Sequence, residues 1–172
     1  IGKLFSPADL GFYSRALQFA SLPSGVSSSI LSRVTFPVLS QVQNDFERLF
    51  RIYRKYLRIA SSLYAPVMAG ICAVAQPLIL VLIGAKWLNS VPLLRILCLA
   101  CIFDCVTSVN INLLYVKGYT NVVFNLNIVK KAIAFIILLL FLRWGVAGLC
   151  WGQVVYAQIA VFLNTYYTKK IL

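Results

Sequence analysis

Between Arg58 and Lys86 the chain runs from Ile59 to Ala85 without a charged residue. A helix rises about 1.5 Å per residue and the hydrocarbon core of a bilayer is roughly 30 Å thick, so this run is long enough to cross it. Lipid offers no partners to backbone N–H and C=O groups, which leaves helices that satisfy their own backbone as the way to build several such crossings. Composition agrees: 61% of residues are hydrophobic and 12% charged, with a mean hydropathy of +0.88. Soluble domains sit near 45–50% and about 25%. The expected fold is an all-α integral membrane protein, a multi-helix bundle whose first partner is the phospholipid bilayer.

The formal charge is +12, from 16 basic and 4 acidic residues. In a soluble protein that balance would suggest nucleic acid; here the bases fall mainly between apolar runs, which makes them a topology signal, and no nucleic-acid partner is expected. The five cysteines, Cys72, Cys98, Cys101, Cys105 and Cys150, all lie inside apolar sequence, and the chain has no His. They read as small hydrophobes, with no metal site and no cofactor expected. The chain opens on Ile1 and its only methionine is Met68, which reads as a fragment.

Five crossings are expected, at about residues 10–43, 59–84, 92–116, 121–142 and 146–166. Pro23, near Gly25 and several serines, should kink the first. Glycines punctuate the later ends at Gly84, Gly118 and Gly145. Residues 44–58 carry Arg48, Arg51, Arg54, Lys55 and Arg58 against Asp45 and Glu47, so this segment should be the cytoplasmic loop. Alternation then groups Lys117, Lys169 and Lys170 with it and leaves Lys3, Lys86 and Arg143 outside. Phe46, Leu49, Phe50, Ile52, Tyr53 and Tyr56 include a 3,4-spaced set, which predicts an amphipathic helix along the inner surface; a solvated loop that only sets orientation is the plainer reading.

At residues 10–16 the chain reads LGFYSRA and at 32–45 SRVTFPVLSQVQND. GAKW follows at 84–87, VPLLRIL at 91–97, NLNIVKK at 125–131, AGLCWG at 147–152 and NTYYTKK at 164–170. In order and spacing these resemble the carboxy-terminal half of a polysaccharide or O-antigen (Wzx-type) flippase of the multidrug/oligosaccharidyl-lipid/polysaccharide (MOP) exporter superfamily. The resemblance covers nearly the whole chain. It implies a two-lobed transporter of twelve to fourteen helices, of which residues 1–172 would be a partial carboxy-terminal lobe whose partner is the missing amino-terminal lobe. It further implies translocation of an undecaprenyl-pyrophosphate-linked oligosaccharide across the bacterial inner membrane by alternating access.

A charge inside a span costs about 2.5 to 3.5 kcal/mol on the insertion scale, so each is a candidate for function. Arg15 leads as the ligand of a lipid pyrophosphate, since a guanidinium matches paired phosphate oxygens; it sits in YSRA, on a helix that the resemblance puts beside the cavity. Gln18, one turn on, is a candidate for sugar hydroxyls, and Arg33 for substrate arriving from the inner leaflet. Lys130 and Lys131 stand two to three turns into the fourth span. For all these cations the competing reading is an anchor that snorkels to the interface. In the third span Asp104, Ser108, Ile111, Asn112 and Tyr115 form a stripe, with Thr107 and Asn110 beside it, that either lines a wet path or joins helices. Asp104 needs a partner, Arg95 or a lysine of the neighbouring helix, or else takes a coupling proton or sodium ion.

Three other functions compete. A cation or drug antiporter of the same fold would line its cavity with carboxylates, whereas here one acid, Asp104, stands against Arg15, Arg33, Arg95, Lys130, Lys131 and Arg143. A membrane phosphotransferase needs paired acids for magnesium or a His base, and the four acids lie on different segments. The chain is therefore not expected to be an enzyme. A non-transporting scaffold would pair its buried bases internally and form no continuous cavity.

Overall fold

The computed structural model describes residues 6–41 and 45–171, with the side chains of 26–36, 38, 40–41, 46 and 170–171 excepted. Seven α-helices make up the described chain: α1 Pro7–Gln41, α2 Phe46–Ala73, α3 Ala75–Leu82, α4 Ser90–Cys101, α5 Asp104–Val116, α6 Thr120–Phe141 and α7 Gly145–Ile171. Short 3₁₀ turns at Ala85–Trp87 and Leu142–Trp144 join α3 to α4 and α6 to α7. Among the described residues three stretches are long and apolar enough to cross a membrane: Glu47–Ala73, Ser90–Val116 and Thr120–Lys169, the last holding both α6 and α7. The chain is an all-α membrane protein.

The basic segment differs from its expected form. Residues 46–58 are neither a loop nor a separate surface helix; they are the first half of α2, which continues through Arg58 into the apolar run. Asp45, in extended backbone (φ −103°, ψ 97°), caps it by accepting a hydrogen bond from the Arg48 N–H at 3.0 Å. Leu49, Tyr53, Ala60, Tyr64 and Met68 are buried along one side, so the stripe that looked like a membrane-surface face is the core-facing stripe of one long helix. Neither glycine nor proline interrupts the sequence from Phe46 to Ala65.

Proline acts unevenly. The second crossing is divided at Val74 (φ −90°, ψ 13°), three residues before Pro77, whose missing N–H leaves the Ala73 carbonyl without its helical donor. α1, by contrast, is helical through Pro23 and Pro37. Beside Pro23 the Ser21 and Ser24 hydroxyls donate to the Gln18 and Ser21 carbonyls at 3.1 and 3.0 Å. Between α4 and α5 the residues Ile102 and Phe103 interrupt the helix although both keep right-handed backbone angles and neither is Pro or Gly. Nothing in the local sequence explains that interruption.

α1 packs on α4 and α5, α7 packs against α4, α5 and α6, and α2 lies across α1, α4 and α5. Ala16 and Ala20 are fully buried on α1, small enough to bring its backbone close to its neighbours. The α6–α7 hairpin is closer still: a Cβ added at Gly148 would stand 2.7 Å from the Phe141 carbonyl oxygen and from the Trp144 Cβ. Leu63, Val81, Phe124, Phe135, Leu140 and Phe162 point outward, as lipid-facing residues do.

Contacts sort the helix ends. Phe12 near the start of α1 meets Trp87 edge to face at 5.7 Å, and Tyr13 shares a small cavity with Ile137, Leu149 and Gly152. One end of the bundle therefore gathers the start of α1, the 85–87 turn and the α6–α7 turn. Far from it, Tyr53 near the start of α2 reaches Asn110 on α5, which reaches Thr165 late in α7.

Candidate functional site

The polar groups enclosed by α5, α6 and α7 are few, which makes each conspicuous. Lys130 stands about 15 Å along α6 from Thr120, near the middle of the helix, and is only 6% exposed. Its Nζ donates to the Asn164 Oδ1 on α7 at 3.4 Å. Asn164 is fully buried, and its Nδ2, like the nearby Thr168 Oγ1 one turn on, has no hydrogen-bond partner among the described residues. An ammonium held in an apolar bundle by one amide oxygen is an expensive arrangement, of the kind that marks function in membrane helices.

Beside it lies a cavity of about 170 Å³ whose polar lining is Asp104 and Thr107 from α5, Lys130 from α6, and Gln153 and Tyr156 from α7. The rest of the wall is small or apolar: Ala100, Cys101, Phe103, Ala157 and Ala160. Asp104 is half-buried at this wall. A carboxylate, an ammonium, an amide and two hydroxyls thus face one cavity. Such a wall can hold water, a small ion, or the polar groups of a larger solute.

Arg95 does not belong to it. Arg95 lies on α4, whereas Asp104 opens α5 beyond the interruption at Ile102 and Phe103. Arg95 is exposed and makes no ion pair with Asp104 among the described residues. The cation that shares the Asp104 cavity is Lys130, the lysine of the neighbouring helix. Lys131, a step of about 100° round the helix, is exposed. The α5 stripe is also redistributed: Thr107 lines the cavity, Asn110 is fully buried in the Tyr53–Asn110–Thr165 chain at 2.5 and 3.2 Å, and Tyr115 is exposed.

Arg15 and Gln18 are brought together, the Arg15 Nη1 donating to the Gln18 Oε1 at 3.0 Å. Both are exposed, and the guanidinium lies 5.5 Å from the centre of the Trp87 ring. This pair stands at the end of the bundle that holds the 85–87 turn, well apart from the Asp104 cavity. The Arg33 side chain lies outside the described ones. Gln153, Tyr156, Asn164 and Trp87 were not singled out from the sequence; Gln153, Asn164 and Thr168 do share one face of α7 in an otherwise apolar run, and that spacing was the available signal. The five cysteines are free, and no group of three or more His, Cys, Asp or Glu side chains is placed to hold a metal among the described residues.

Comparison with known proteins adds the family context. Residues 1–92 match the family model described as polysaccharide biosynthesis protein. The chain is 29% identical over 171 residues to an uncharacterized membrane protein in the cps region of Klebsiella pneumoniae, covering 99% of this chain and 35% of that protein. It is 36% identical over 100 residues to the succinoglycan biosynthesis transport protein ExoT of Rhizobium meliloti, covering 58% of this chain and 20% of the relative. To the lipopolysaccharide biosynthesis protein WzxC of Escherichia coli it is 25% identical over 130 residues, 76% of this chain and 26% of WzxC. The chain thus spans about a third or less of the length of these relatives. No solved structure matches it.

Proposed function

This chain belongs to the polysaccharide biosynthesis protein family, and we propose that the complete protein moves a lipid-linked oligosaccharide across a bacterial inner membrane, with this chain as part of its carboxy-terminal lobe. The observation that carries the reading is the mid-membrane polar wall, where the buried Lys130 and the half-buried Asp104 share one cavity. A lobe that only scaffolds has no use for an ammonium at that depth, while one that lines a hydrophilic path does.

In this reading the five rods α1, α2–α3, α4–α5, α6 and α7 cross the bilayer, with the basic start of α2 on the cytoplasmic side. Lys130 faces the anionic part of the substrate, with Lys131 and Arg33 as nearby or inner-leaflet contacts, and Arg15 with Gln18 stands where the load leaves at the opposite end. Asp104 shares the cavity with Lys130 without an ion pair among the described residues. The lobe rocks against its amino-terminal counterpart, exposing the wall to each side in turn. No bond is made or broken, so the protein is a transporter and not an enzyme, and it needs no cofactor.

The test is translocation of a fluorescent polyprenyl diphosphate glycan by the full-length protein in liposomes. Arg15→Ala and Lys130→Ala should each lower the initial rate at least tenfold with normal expression and folding. Full activity of both Arg15→Ala and Lys130→Ala would make these cations anchors and remove the proposed path.

A further inference from the structure

The first half of α2 carries more than an orientation signal. Positive-inside sorting counts lysines and arginines and is indifferent to the face they occupy. On α2, Arg51, Arg54, Lys55 and Arg58 fall within about 100° of arc, on the side away from buried Leu49, Tyr53 and Ala60. All four are exposed and, with Phe50, Ile59 and the single acid Glu47, line a shallow open groove between side chains of α2 itself. The Arg54 guanidinium lies 4.2 Å from the centre of the Phe50 ring, so one fork is already held over an apolar floor.

We infer that this groove is the site where the diphosphate headgroup of the lipid-linked substrate is first captured at the inner leaflet, an inference that rests on the transport reading above. Arg51 and Arg58 are separated by about 10 Å along the helix, with Arg54 between them. Each guanidinium pairs bidentately with phosphate oxygens. A headgroup with one phosphate engages one fork; a diphosphate engages two neighbouring forks at once. The polyprenyl chain keeps that headgroup at the depth where Arg58 gives way to Ile59 and the apolar run begins. The groove therefore selects a lipid diphosphate over the single-phosphate headgroups that surround it.

The experiment measures binding of a polyprenyl diphosphate, a polyprenyl monophosphate and phosphatidylglycerol to the full-length protein in neutral-lipid nanodiscs, with inorganic pyrophosphate as competitor. Wild type should bind the lipid diphosphate at least tenfold more tightly than either single-phosphate lipid. R51K/R54K/R58K keeps the charge that fixes orientation and removes the forks, so it should lose that preference while holding its fold and topology. R51Q/R54Q/R58Q, checked for orientation by cysteine labelling, should weaken diphosphate binding at least tenfold. Equal binding of phosphatidylglycerol by wild type, an undiminished preference in the lysine variant, or displacement by inorganic pyrophosphate as effective as by the lipid would each overturn the inference. A wild type that binds the lipid diphosphate through these arginines yet never moves it in the liposome assay would instead overturn the transport reading and leave the groove standing.

Discussion

Lys130 and Asn164 make a prediction whose two halves have opposite signs. Removing Asn164 leaves the ammonium buried without its acceptor; a hydrogen bond to a charged group contributes about 1.5 to 3 kcal/mol, so Asn164→Ala should destabilise the protein by about 2 kcal/mol. Lys130→Met forfeits the same bond but also takes a charge out of the membrane, worth about 2.5 to 3.5 kcal/mol on the insertion scale, so it should be neutral or stabilising by about 1 kcal/mol. Once the lysine is gone Asn164 has little left to contribute, and the double variant should resemble Lys130→Met alone. The coupling is then about 2 kcal/mol in size, well above the roughly 0.6 kcal/mol average for hydrogen bonds between membrane helices. Unfolding equilibria of the full-length protein in bicelles, taken round the double-mutant cycle, give this number directly. A coupling under about 0.5 kcal/mol, or a Lys130→Met as damaging as Asn164→Ala, would refute the idea that the amide exists to hold a buried charge.

Gly148→Ala should lower stability by about 1 to 3 kcal/mol in the same assay, because the added Cβ meets the Phe141 carbonyl and the Trp144 Cβ at 2.7 Å; a neutral result would mean the α6–α7 hairpin opens freely. Tyr53→Phe should cost about 1 to 3 kcal/mol by leaving the buried Asn110 Oδ1 without its donor, measured as a shift of the unfolding midpoint. Arg95→Ala should leave stability within about 0.5 kcal/mol, as an exposed residue without an ion pair does, and a large loss would restore it as a partner of Asp104.

The membrane class was legible because a run without charge as long as residues 59–85 has few other uses. The same marker misplaced the start of α2: Arg58 looked like a boundary, whereas backbone hydrogen bonding and the buried 49–53–60–64 spacing continue past it. Charge reports where lipid begins, not where a helix does. In the site, Lys130 and Asp104 were visible as ions out of place, with Arg95 or a lysine of the neighbouring helix open as partner to Asp104; which of the two shares its cavity depends on how the helices rotate against one another, which spacing along the chain does not give. Arg95 sits on α4, exposed and without an ion pair to Asp104 among the described residues. For Gln153 and Asn164 the available signal was the face of α7 that they share with Thr168, and what distinguishes Asn164 on that face is the ammonium pointing at it, which only the packing of α6 on α7 supplies.

The length of α2 has a mechanical consequence. From Phe46 to Ala65 it has no joint, and Pro66 is the first place where its axis bends cheaply. Arg51 is then the tip of a lever arm about 22 Å long, fifteen residues from its fulcrum. A 10° change of angle at Pro66 swings that tip by about 4 Å, more than a hydrogen-bond length, so a small tilt within the bilayer reads out as an engaged or withdrawn arginine at its surface.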